Sequence, residues 1–241
     1  MKTALITGSG RQAGLGFEVA KQLGAQGYQI IIAARQSAQV TERVAELKDL
    51  GFQAHGVVLD LTDENSISQA VNAVQQWDSK LDVLVNNAAV FGDFTSVLET
   101  DIKNVEAAFN TNFLGTWQVT QKFYALLANA DTARIVNVSS GAGSFADPVY
   151  GILNGSMGMP VSTYALTKLA INGLTVKMAK EFSQDNVLVN AVCPDVVNTS
   201  GNDTGFGRPV GEGAKSVVWA ATLPDDGPTG GFYRDGQPLP W

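Results

Sequence analysis

Apolar and polar positions along the chain fall into two alternating patterns. Short apolar runs predict strands, and between them the apolar residues recur at helical spacing. The predicted strands are Ala4–Thr7, Ile30–Ala34, Val57–Leu59, Val83–Val85, Arg134–Val138 and Val187–Cys193, with a short strand near Gly230–Tyr233. The predicted helices are Leu15–Gln26, Ala38–Leu50, Asp63–Trp77 with Thr62 as its N-cap, Ile102–Leu127, Val161–Phe182 and Gly213–Ala221.

The order of these elements determines the predicted fold class. Short strands separated by helices form βαβ units, which assemble into a parallel sheet covered on both faces. We therefore predict an α/β fold with a doubly wound, Rossmann-type parallel sheet and a single domain over residues 1–241. Two stretches rich in Gly, Ser, Asn or Pro follow strands, Gly141–Pro160 and Asn198–Gly213. Since loops after parallel strands line the ligand crevice, both are predicted to be substrate loops.

Composition and charge exclude several classes of function. Hydrophobic residues are 45% and charged residues 16% of the chain, which is typical of a soluble α/β domain. A formal charge of −7 leaves no basic surface for nucleic acid or an anionic membrane. No apolar run is long enough for a membrane span and no signal-peptide pattern is present, so a cytoplasmic location is expected. A single histidine, His55, and a single cysteine, Cys193, argue against a metal site and exclude an internal disulfide framework.

A glycine-rich segment, Thr7–Gly16, connects the first predicted strand to the first helix. Glycines allow the backbone to approach a pyrophosphate, which binds at the N-terminus of the helix. A plain turn would need no ligand, but the position at the start of a βαβ unit favours a dinucleotide site. The residues of this segment predicted to contact the dinucleotide are Gly8, Gly10, Arg11, Gly14, Leu15 and Gly16.

The end of the second strand indicates which dinucleotide binds. A cofactor without a 2′-phosphate usually meets an acidic residue about 20 residues after the glycines. That position is occupied by Ala34, and Arg35 follows it. A guanidinium can hold a 2′-phosphate by charge and paired hydrogen bonds, and Arg11 could add a second contact. The sequence thus favours NADP(H) over NAD(H), although an Arg35 that only ends a strand in solvent would leave the preference open.

Tyr164 and Lys168 lie four residues apart and therefore share one face of a predicted helix. A free phenol is a poor base at neutral pH, but a nearby ammonium lowers its pKa. The pair could then exchange a proton with an alcohol oxygen near neutral pH. Surface pairs without any function show the same spacing, so the motifs elsewhere in the chain decide between the two interpretations.

Seven short motifs follow one another along the chain. They are Thr7–Gly16, Asp60-Leu61, Asn86–Ala89, Asn110–Gly115, Asn137–Ser140, Tyr164–Lys168 and Asn190–Pro194. In this order they resemble the short-chain dehydrogenase/reductase family, over essentially the whole chain. Two further segments, Gly211–Ala214 and Pro228–Phe232, look like the carbonyl reductase-like branch of that family.

The resemblance implies a role for each matched residue. Ser140 would hydrogen-bond the substrate oxygen, with Ser139 as the fallback whose expected role is structural. Tyr164 would be the general acid in reduction, and Lys168 would lower the tyrosine pKa and hold the nicotinamide ribose. Asn112 would keep a water that relays protons to Lys168. The further cofactor contacts that the resemblance implies are Asp60, Leu61, Asn87, Ala88, Pro194, Val197 and Thr199.

Some matched positions have simpler explanations, and others depart from the family pattern. Asp60 could cap the next helix, and Pro194 could simply end a strand. Ala89 stands where the family usually has glycine, and its methyl would crowd a cofactor if the backbone φ is positive. Asp195 replaces the usual glycine after Pro194 and either tunes substrate choice or points to solvent. The glycine-rich loop is also two residues longer than usual.

The interval between Ser140 and Tyr164 is longer than in most members of the family. Gly141–Pro160 is therefore predicted to form a flap, with apolar surface from Tyr150, Ile152, Leu153, Met157 and Met159. Such an insertion can cover the helix face used for dimerisation in the family, so a homo-oligomer is possible and a monomer stays open. Side chains that either line the pocket mouth or pack in the core are Val90, Phe91, Phe94, Phe206 and Trp219.

Together these features predict an NADPH-dependent reductase of ketones, aldehydes or quinones that also runs in reverse as an alcohol dehydrogenase. Its partner would be a small-molecule carbonyl or alcohol. One alternative is an epimerase, dehydratase or enoyl reductase on the same fold. Another is a non-catalytic NADP(H)-binding regulator, which the presence of Ser140, Tyr164 and Lys168 argues against.

Overall fold

The computed structural model describes residues 1–154, 160–202 and 205–241. Eight strands form the main sheet: β1 (Thr3–Thr7), β2 (Gln29–Ala34), β3 (Ala54–Val58), β4 (Val83–Asn86), β5 (Ala133–Val138), β6 (Val187–Val192), β9 (Phe232–Arg234) and β10 (Gln237–Pro238). Their order is β10-β9-β6-β5-β4-β1-β2-β3, and only β10 runs antiparallel to its neighbour. Two short strands, β7 (Val197–Asn198) and β8 (Arg208–Pro209), pair separately. The predicted α/β fold with a mostly parallel, doubly wound sheet is confirmed, whereas β7, β8 and β10 were not predicted.

Seven α-helices cover the sheet in the described ranges. They are α1 (Leu15–Ala25), α2 (Ser37–Asp49), α3 (Glu64–Trp77), α4 (Ile102–Phe109), α5 (Thr116–Ala128), α6 (Ser162–Glu181) and α7 (Val210–Ala221). The helix predicted over residues 102–127 is present as α4 and α5, joined by the π-helical segment Asn110–Gly115. The other predicted helices agree with the structure to within a few residues at their ends.

The N-cap of α3 is Asp63 rather than Thr62. The Asp63 carboxylate accepts a hydrogen bond from the backbone N–H of Asn65 at 2.9 Å. Thr62 cannot take this place because its backbone N–H and its hydroxyl both donate to Asp60 Oδ1, at 2.9 and 2.8 Å. Asp60 therefore closes the turn before the helix and leaves the cap to the next carboxylate.

The core consists of two layers, one on each face of the sheet. Successive strand residues point to opposite faces, so Leu5 packs in the layer beneath α3, α5 and α6. Ile6 packs in the layer beneath α1, α2 and α7. Because both faces of the strands are buried, strands such as β2 are apolar along almost their whole length rather than alternating with polar residues.

The strand order places the ligand crevice at the centre of the sheet. The chain moves outward from β1 to β3 and then returns to β4 on the other side of β1. Where the order reverses in this way, the connections after neighbouring strands diverge and leave a crevice at their carboxyl ends. Thr7, Asn86 and Val138 end three of these strands. None of the helices in the described ranges combines the length and apolarity needed to cross a membrane.

Candidate active site

A cavity of about 610 Å³ opens at the carboxyl ends of the parallel strands. Of the predicted catalytic and cofactor residues, those lining it are Gly8, Gly10, Arg11, Gly14, Leu15, Arg35, Asp60, Leu61, Asn87, Ala88, Ser140, Tyr164, Lys168, Pro194, Val197 and Thr199. Gly16 and Asn112 lie outside this lining. We call the side formed by the ends of β2 and β3 the Arg35 end, and the side formed by the ends of β5 and β6 the Tyr164 end. Motifs scattered over nearly 200 positions therefore meet at one site, as the resemblance implied.

The glycine-rich loop brings bare backbone to the middle of the cavity. Gly8 has φ +66°, and a Cβ added to it would lie 2.7 Å from the Ala88 Cα. Gly14 is the N-cap residue of α1 and supplies no side-chain cap, so the helix N-terminus keeps free backbone donors beside the cavity. A loop position that only glycine can occupy, beside a helix N-terminus, fits the close approach of a pyrophosphate.

Gly16 serves packing between the helix and the neighbouring loop. A Cβ on Gly16 would lie 2.5 Å from Asn87 Nδ2. That amide donates to the backbone oxygens of Thr7 at 2.9 Å and Gly8 at 3.2 Å. Asn87 thus holds the loops after β1 and β4 together, and Gly16 leaves room for it. The sequence predicted a direct cofactor contact for Gly16, whereas the structure places it behind the cavity wall.

Two arginines and one aspartate provide the charge at the Arg35 end. Arg35 is exposed and lines the cavity. The pKa of Asp60 is lowered chiefly by the backbone N–H of Thr62 and also by the nearby Arg35. Arg11 lines the cavity as well, but its Nη2 donates to the backbone oxygen of Thr199 at 2.9 Å. Arg35 is thus available to an anionic group, whereas Arg11 also links the glycine-rich loop to the loop after β6.

Lys168 is almost completely buried at the Tyr164 end. Its Nζ donates to the backbone oxygen of Val138 at 2.7 Å and lies 5.4 Å from the centroid of the Tyr164 ring. Burial lowers the pKa of Lys168 to about 8, because a charged ammonium loses its hydration. The group still carries its proton at neutral pH, so a positive charge lies close to the phenol.

Tyr164 differs from the sequence-based expectation in the direction of its pKa shift. Burial raises the pKa of Tyr164, and a hydrogen bond with Ser140 only partly opposes it. Lys168 was expected to lower this pKa, whereas desolvation of the buried phenol sets the direction of the shift. Ser140 Oγ also accepts a hydrogen bond from the backbone N–H of Ala142 at 3.2 Å. Tyr164 is therefore held as a neutral phenol, which is the form that donates a proton.

Ser139 has the structural role predicted for it as the fallback to Ser140. Its hydroxyl donates to Asn172 Oδ1 at 2.6 Å, and the amide of Asn172 donates to the Gly143 backbone oxygen at 3.0 Å. These bonds attach helix α6 to the segment after β5. They fix the relative positions of Ser140, which follows β5, and Tyr164, which lies on α6.

Asn112 is buried within the π-helical segment and supports the cavity from outside. Its Oδ1 accepts from the backbone N–H of Val90 at 2.8 Å, and its Nδ2 donates to the Val90 backbone oxygen at 2.8 Å and to Thr167 Oγ1 at 3.0 Å. Both ends of its side chain are thus engaged by protein groups. The predicted water relay to Lys168 stays a prediction, and the structural role of Asn112 is to fix the loop after β4 against α6.

A network of polar side chains surrounds Asp195 after β6, and the sequence analysis did not predict it. The hydroxyl of Tyr150 donates to Asp195 Oδ1 at 2.6 Å, and Arg208 Nη2 donates to Asp195 Oδ2 at 2.8 Å. Arg208 also donates to Asp235 Oδ1 at 2.7 Å, and Arg234 donates to Asp147 Oδ2 at 2.7 Å. Tyr150 entered the prediction only as apolar surface. No local spacing could have revealed contacts between segments so far apart in the chain.

The remaining predictions for single residues divide as follows. Ala89 is absent from the residues with positive φ, so its methyl causes no backbone strain of the kind considered. His55 stacks on Trp77 with 4.5 Å between ring centroids, away from the cavity.

The residues predicted either to line the pocket mouth or to pack in the core divide between the two. Four of them line the cavity, namely Val90, Phe91, Phe94 and Phe206, whereas Trp219 packs against Tyr233. Met157 and Met159 of the predicted flap lie outside the described residues. The ranges that the structure covers contain no group of three or more His, Cys, Asp or Glu arranged to hold a metal ion.

A sequence model described as short chain dehydrogenase matches residues 2–206. The chain belongs to the short-chain dehydrogenase family. It is 30% identical to salutaridine reductase of Papaver bracteatum over 302 aligned positions, covering 97% of this chain and 94% of that one. It is 28% identical to (+)-neomenthol dehydrogenase of Arabidopsis thaliana, covering 97% and 96% of the two chains. The solved structure of an NADPH-bound carbonyl reductase from chicken fatty liver superposes with a TM-score of 0.86 at 22% identity, over 100% of this chain and 99% of that chain.

Membership in this family makes the chain an oxidoreductase-type domain that uses a nicotinamide cofactor.

Proposed function

We propose that this short-chain dehydrogenase is an NADPH-dependent oxidoreductase that reduces a carbonyl group of a ketone, aldehyde or quinone to an alcohol, reversibly. Residues 1–241 would act as one catalytic domain. The observation that carries the proposal is the convergence of Ser140, Tyr164 and Lys168 at one end of a cavity whose other end presents the glycine-rich loop and Arg35.

Three side chains at the Tyr164 end can bind and protonate a carbonyl oxygen. Ser140 and Tyr164 both line this end of the cavity, so an oxygen placed between them would meet two hydroxyl donors. The raised pKa keeps Tyr164 protonated, which suits the general acid of a reduction. Lys168 would stabilise the phenolate left behind. Its ammonium lies 5.4 Å from the centroid of the Tyr164 ring and is held there by its hydrogen bond to the backbone oxygen of Val138.

The cofactor residues fit a dinucleotide at the other parts of the cavity. When bound, NADPH would supply the hydride, and the protein supplies orientation and the proton. The backbone of Gly8 and the N-terminus of α1 would hold the pyrophosphate. Pro194, Val197 and Thr199 line the cavity after β6 and would orient the nicotinamide.

The preference for NADPH rests on Arg35. This exposed guanidinium follows β2, where an acidic residue would bind the ribose of NAD. Arg11 could join it only by leaving the backbone oxygen of Thr199. The NADPH bound to the carbonyl reductase of similar fold supports the same choice, as does the reductase activity named for the 30% identical relative.

The test is oxidation of NADPH with a panel of aldehydes, ketones and quinones, followed by absorbance. We expect Tyr164→Phe to lower kcat by about 10²- to 10⁴-fold because the proton donor is lost. Its Kd for NADPH, measured by tryptophan fluorescence, should stay unchanged. Tyr124→Phe is the matched control, because the Tyr124 hydroxyl bonds Asp185 outside the cavity and its removal should not alter turnover.

Each alternative function would give a different result in this experiment. A Tyr164→Phe enzyme with wild-type turnover would refute the assignment of the acid. Tight NADPH binding without turnover of any carbonyl would favour a regulator. Turnover of a sugar nucleotide or an enoyl compound without net carbonyl reduction would favour an epimerase, dehydratase or enoyl reductase.

A further inference from the structure

A row of aromatic rings extends from the reacting centre to the mouth of the cavity. The centroids of Phe91 and Tyr164 are 4.8 Å apart, and those of Phe91 and Phe94 are 6.5 Å apart. Both phenylalanines line the cavity, and they are 61% and 60% exposed. Exposed aromatic rings beside a cavity favour the binding of an apolar ligand, because the ligand removes their surface from water. This aromatic row (Tyr164, Phe91 and Phe94) therefore fits an aromatic or alicyclic body attached to the carbonyl.

The charged groups that line the cavity differ between its two ends. Arg11 and Arg35 provide positive charge toward the cofactor phosphates. At the Tyr164 end the charged residues in the described lining are Lys168 and Asp195. The Lys168 side chain is buried and already donates to Val138, whereas the Asp195 side chain keeps 26% of its surface exposed. The charge that an incoming substrate meets is therefore the carboxylate.

The Asp195 carboxylate is fixed in position and ionised. Burial alone would raise the pKa of Asp195, but hydrogen bonds from Tyr150 and Arg208 reverse this and lower it. The pKa of Tyr150 is raised to about 12 by burial and by its bond to Asp195, so Tyr150 stays a donor. Arg208 divides its charge between Asp195 and Asp235, which leaves the three groups with one net negative charge.

The backbone at Asp195 also indicates a selected position. Its φ is +66°, in the left-handed region where a residue other than glycine is uncommon. The side chain compensates for this conformation by accepting bonds from Tyr150, from Arg208 and from the backbone N–H of Val196 at 2.8 Å. Glycine would suit the same φ without any compensation, so what the aspartate adds is the carboxylate.

We propose that the Tyr150–Asp195 pair is a specificity-determining wall of the Tyr164 end, which admits uncharged carbonyl compounds with an aromatic or alicyclic body and rejects those that carry a carboxylate. The inference rests on the proposed function, because it concerns the substrate of the same site. Two carboxylates in a partly desolvated cavity repel each other strongly, whereas an uncharged ring gains contact with the aromatic row.

A matched pair of aldehydes tests this wall. Methyl para-formylbenzoate and para-formylbenzoate differ in the ester and the free carboxylate, and they share the same ring and aldehyde. For the wild-type protein we expect kcat/KM to favour the ester by about tenfold or more. The Kd of both compounds for the cofactor-free protein, measured by calorimetry, should show the same preference without any turnover.

Two substitutions remove the charge in different ways. Asp195→Asn keeps the shape, and asparagine tolerates positive φ better than most residues. Asp195→Gly removes the side chain and accepts the backbone conformation without strain. Both should reduce the preference for the ester by about fivefold or more, mainly through a lower KM and Kd for the carboxylate. NADPH affinity should stay unchanged in both variants.

The role of Tyr150 is tested by hydrogen exchange of the backbone amides in the flap segment around it. Hydrogen bonds to backbone oxygens protect amides of the flap from exchange with water. The N–H of Gly151 donates to the Asp147 backbone oxygen at 3.0 Å, and that of Ile152 donates to the Ser144 backbone oxygen at 2.8 Å. Tyr150→Phe removes only the hydroxyl, so these amides should exchange hydrogen faster, by about fivefold or more. The control is again Tyr124→Phe, whose phenol bonds Asp185 away from the cavity and should leave flap exchange unchanged.

The outcomes separate this inference from the proposed reaction. A wild-type protein that binds and reduces the carboxylate as well as the ester would overturn the wall, and so would an unchanged preference in both Asp195 variants. If no carbonyl is turned over, a binding preference for the ester that Asp195→Asn abolishes would uphold the wall and refute the reaction. Turnover of both aldehydes without discrimination would do the reverse.

Discussion

The cofactor side of the cavity, from the glycine-rich loop to the Arg35 end, is formed by backbone and strand-end residues, whereas the wall of the Tyr164 end is formed by side chains from distant segments. Gly8 and Asn87 meet because β1 and β4 are neighbouring strands. Tyr150, Asp195 and Arg208 meet only because two loops fold over the sheet and their polar groups pair. The first region depends on the order of the strands in the sheet. The second depends on pairings between side chains of separate loops, and we therefore expect cofactor chemistry in the first region and substrate choice in the second.

The largest expected effect comes from adding one methyl group to the glycine-rich loop. Gly8 and Gly205 have nearly equal φ, +66° and +65°, but a Cβ would meet Ala88 Cα at 2.7 Å in the first case and nothing within 4 Å in the second. Gly8→Ala should therefore destabilise the protein by about 3 kcal/mol, from strain plus the clash, and Gly205→Ala by about 1 kcal/mol, from strain alone. Denaturant unfolding measures both values.

The same two variants also distinguish the glycine-rich loop from the loop between β7 and β8 by their effect on cofactor binding. Movement of the loop in Gly8→Ala should weaken NADPH binding by about 100-fold or more, because the pyrophosphate loses its backbone donors. Gly205→Ala lies in the loop between β7 and β8 and should leave the Kd for NADPH within about twofold. Equal losses of stability or affinity in the two variants would show that the close approach to Ala88 is unimportant.

A smaller effect is expected from removing the positive charge after β2. Arg35→Ala should raise the Kd for NADPH by about 10- to 50-fold, because a 2′-phosphate loses a charged, forked donor. The Kd for NADH should change by less than about twofold, since NADH carries no phosphate at that position. Tryptophan fluorescence titrations of both cofactors measure this difference.

Arg11→Ala is the comparison variant for this substitution. Because Arg11 also bonds the backbone of Thr199, its removal should affect NADH and NADPH more evenly than the removal of Arg35. A parallel loss of affinity for both cofactors in Arg35→Ala would rule out a role of Arg35 in binding the 2′-phosphate.

Sequence patterns predicted the first region well, for a physical reason. Strands buried on both faces are apolar along their length, and the turns that follow them need glycine where backbone must approach backbone, as at Gly8. Both signals are local, so they can be read along the chain. The order of the motifs then places the strand ends beside one another, and the same placement brings Ser140, Tyr164 and Lys168 to the other end of the cavity.

The second region could not be predicted because its determinants are not local. Tyr150 and Asp195 are 45 positions apart, and Arg234 and Asp147 are 87 positions apart, with no periodicity to connect them. The predicted direction of the Tyr164 pKa shift was wrong for a similar reason. The spacing to Lys168 indicated a lowered value, but the packing around the phenol, including Phe91, determines its desolvation.

Buried Lys168 provides the smallest predicted effect, a pH dependence of stability. Its folded-state pKa is about 8, compared with an ordinary value of 10.5. Between these two values the unfolded chain binds a proton at this site that the folded protein has released. The linkage relation then requires stability to rise with pH. The contribution of Lys168 to the free energy of unfolding is fully present above its unfolded-state pKa and is lost as pH falls through its folded-state pKa. Burying the charged ammonium therefore costs stability near neutral pH.

Lys168→Met isolates this contribution, because methionine keeps the length of the side chain and cannot titrate. Other ionisable groups cancel when the free energy of unfolding of the variant is subtracted from that of the wild type at each pH. From pH 8 to pH 9 the difference should move in favour of the cofactor-free wild type by about 1 kcal/mol, the value expected when the folded state is mostly deprotonated and the unfolded state mostly protonated. Denaturant unfolding at several pH values measures it.

A difference that stays constant over this interval would mean that Lys168 keeps an ordinary pKa in the folded protein, and that its ammonium is better solvated than its burial indicates. A lysine with an ordinary pKa would be held at the Tyr164 end without an electrostatic cost, whereas the rise expected here would show that the fold retains Lys168 against its own stability.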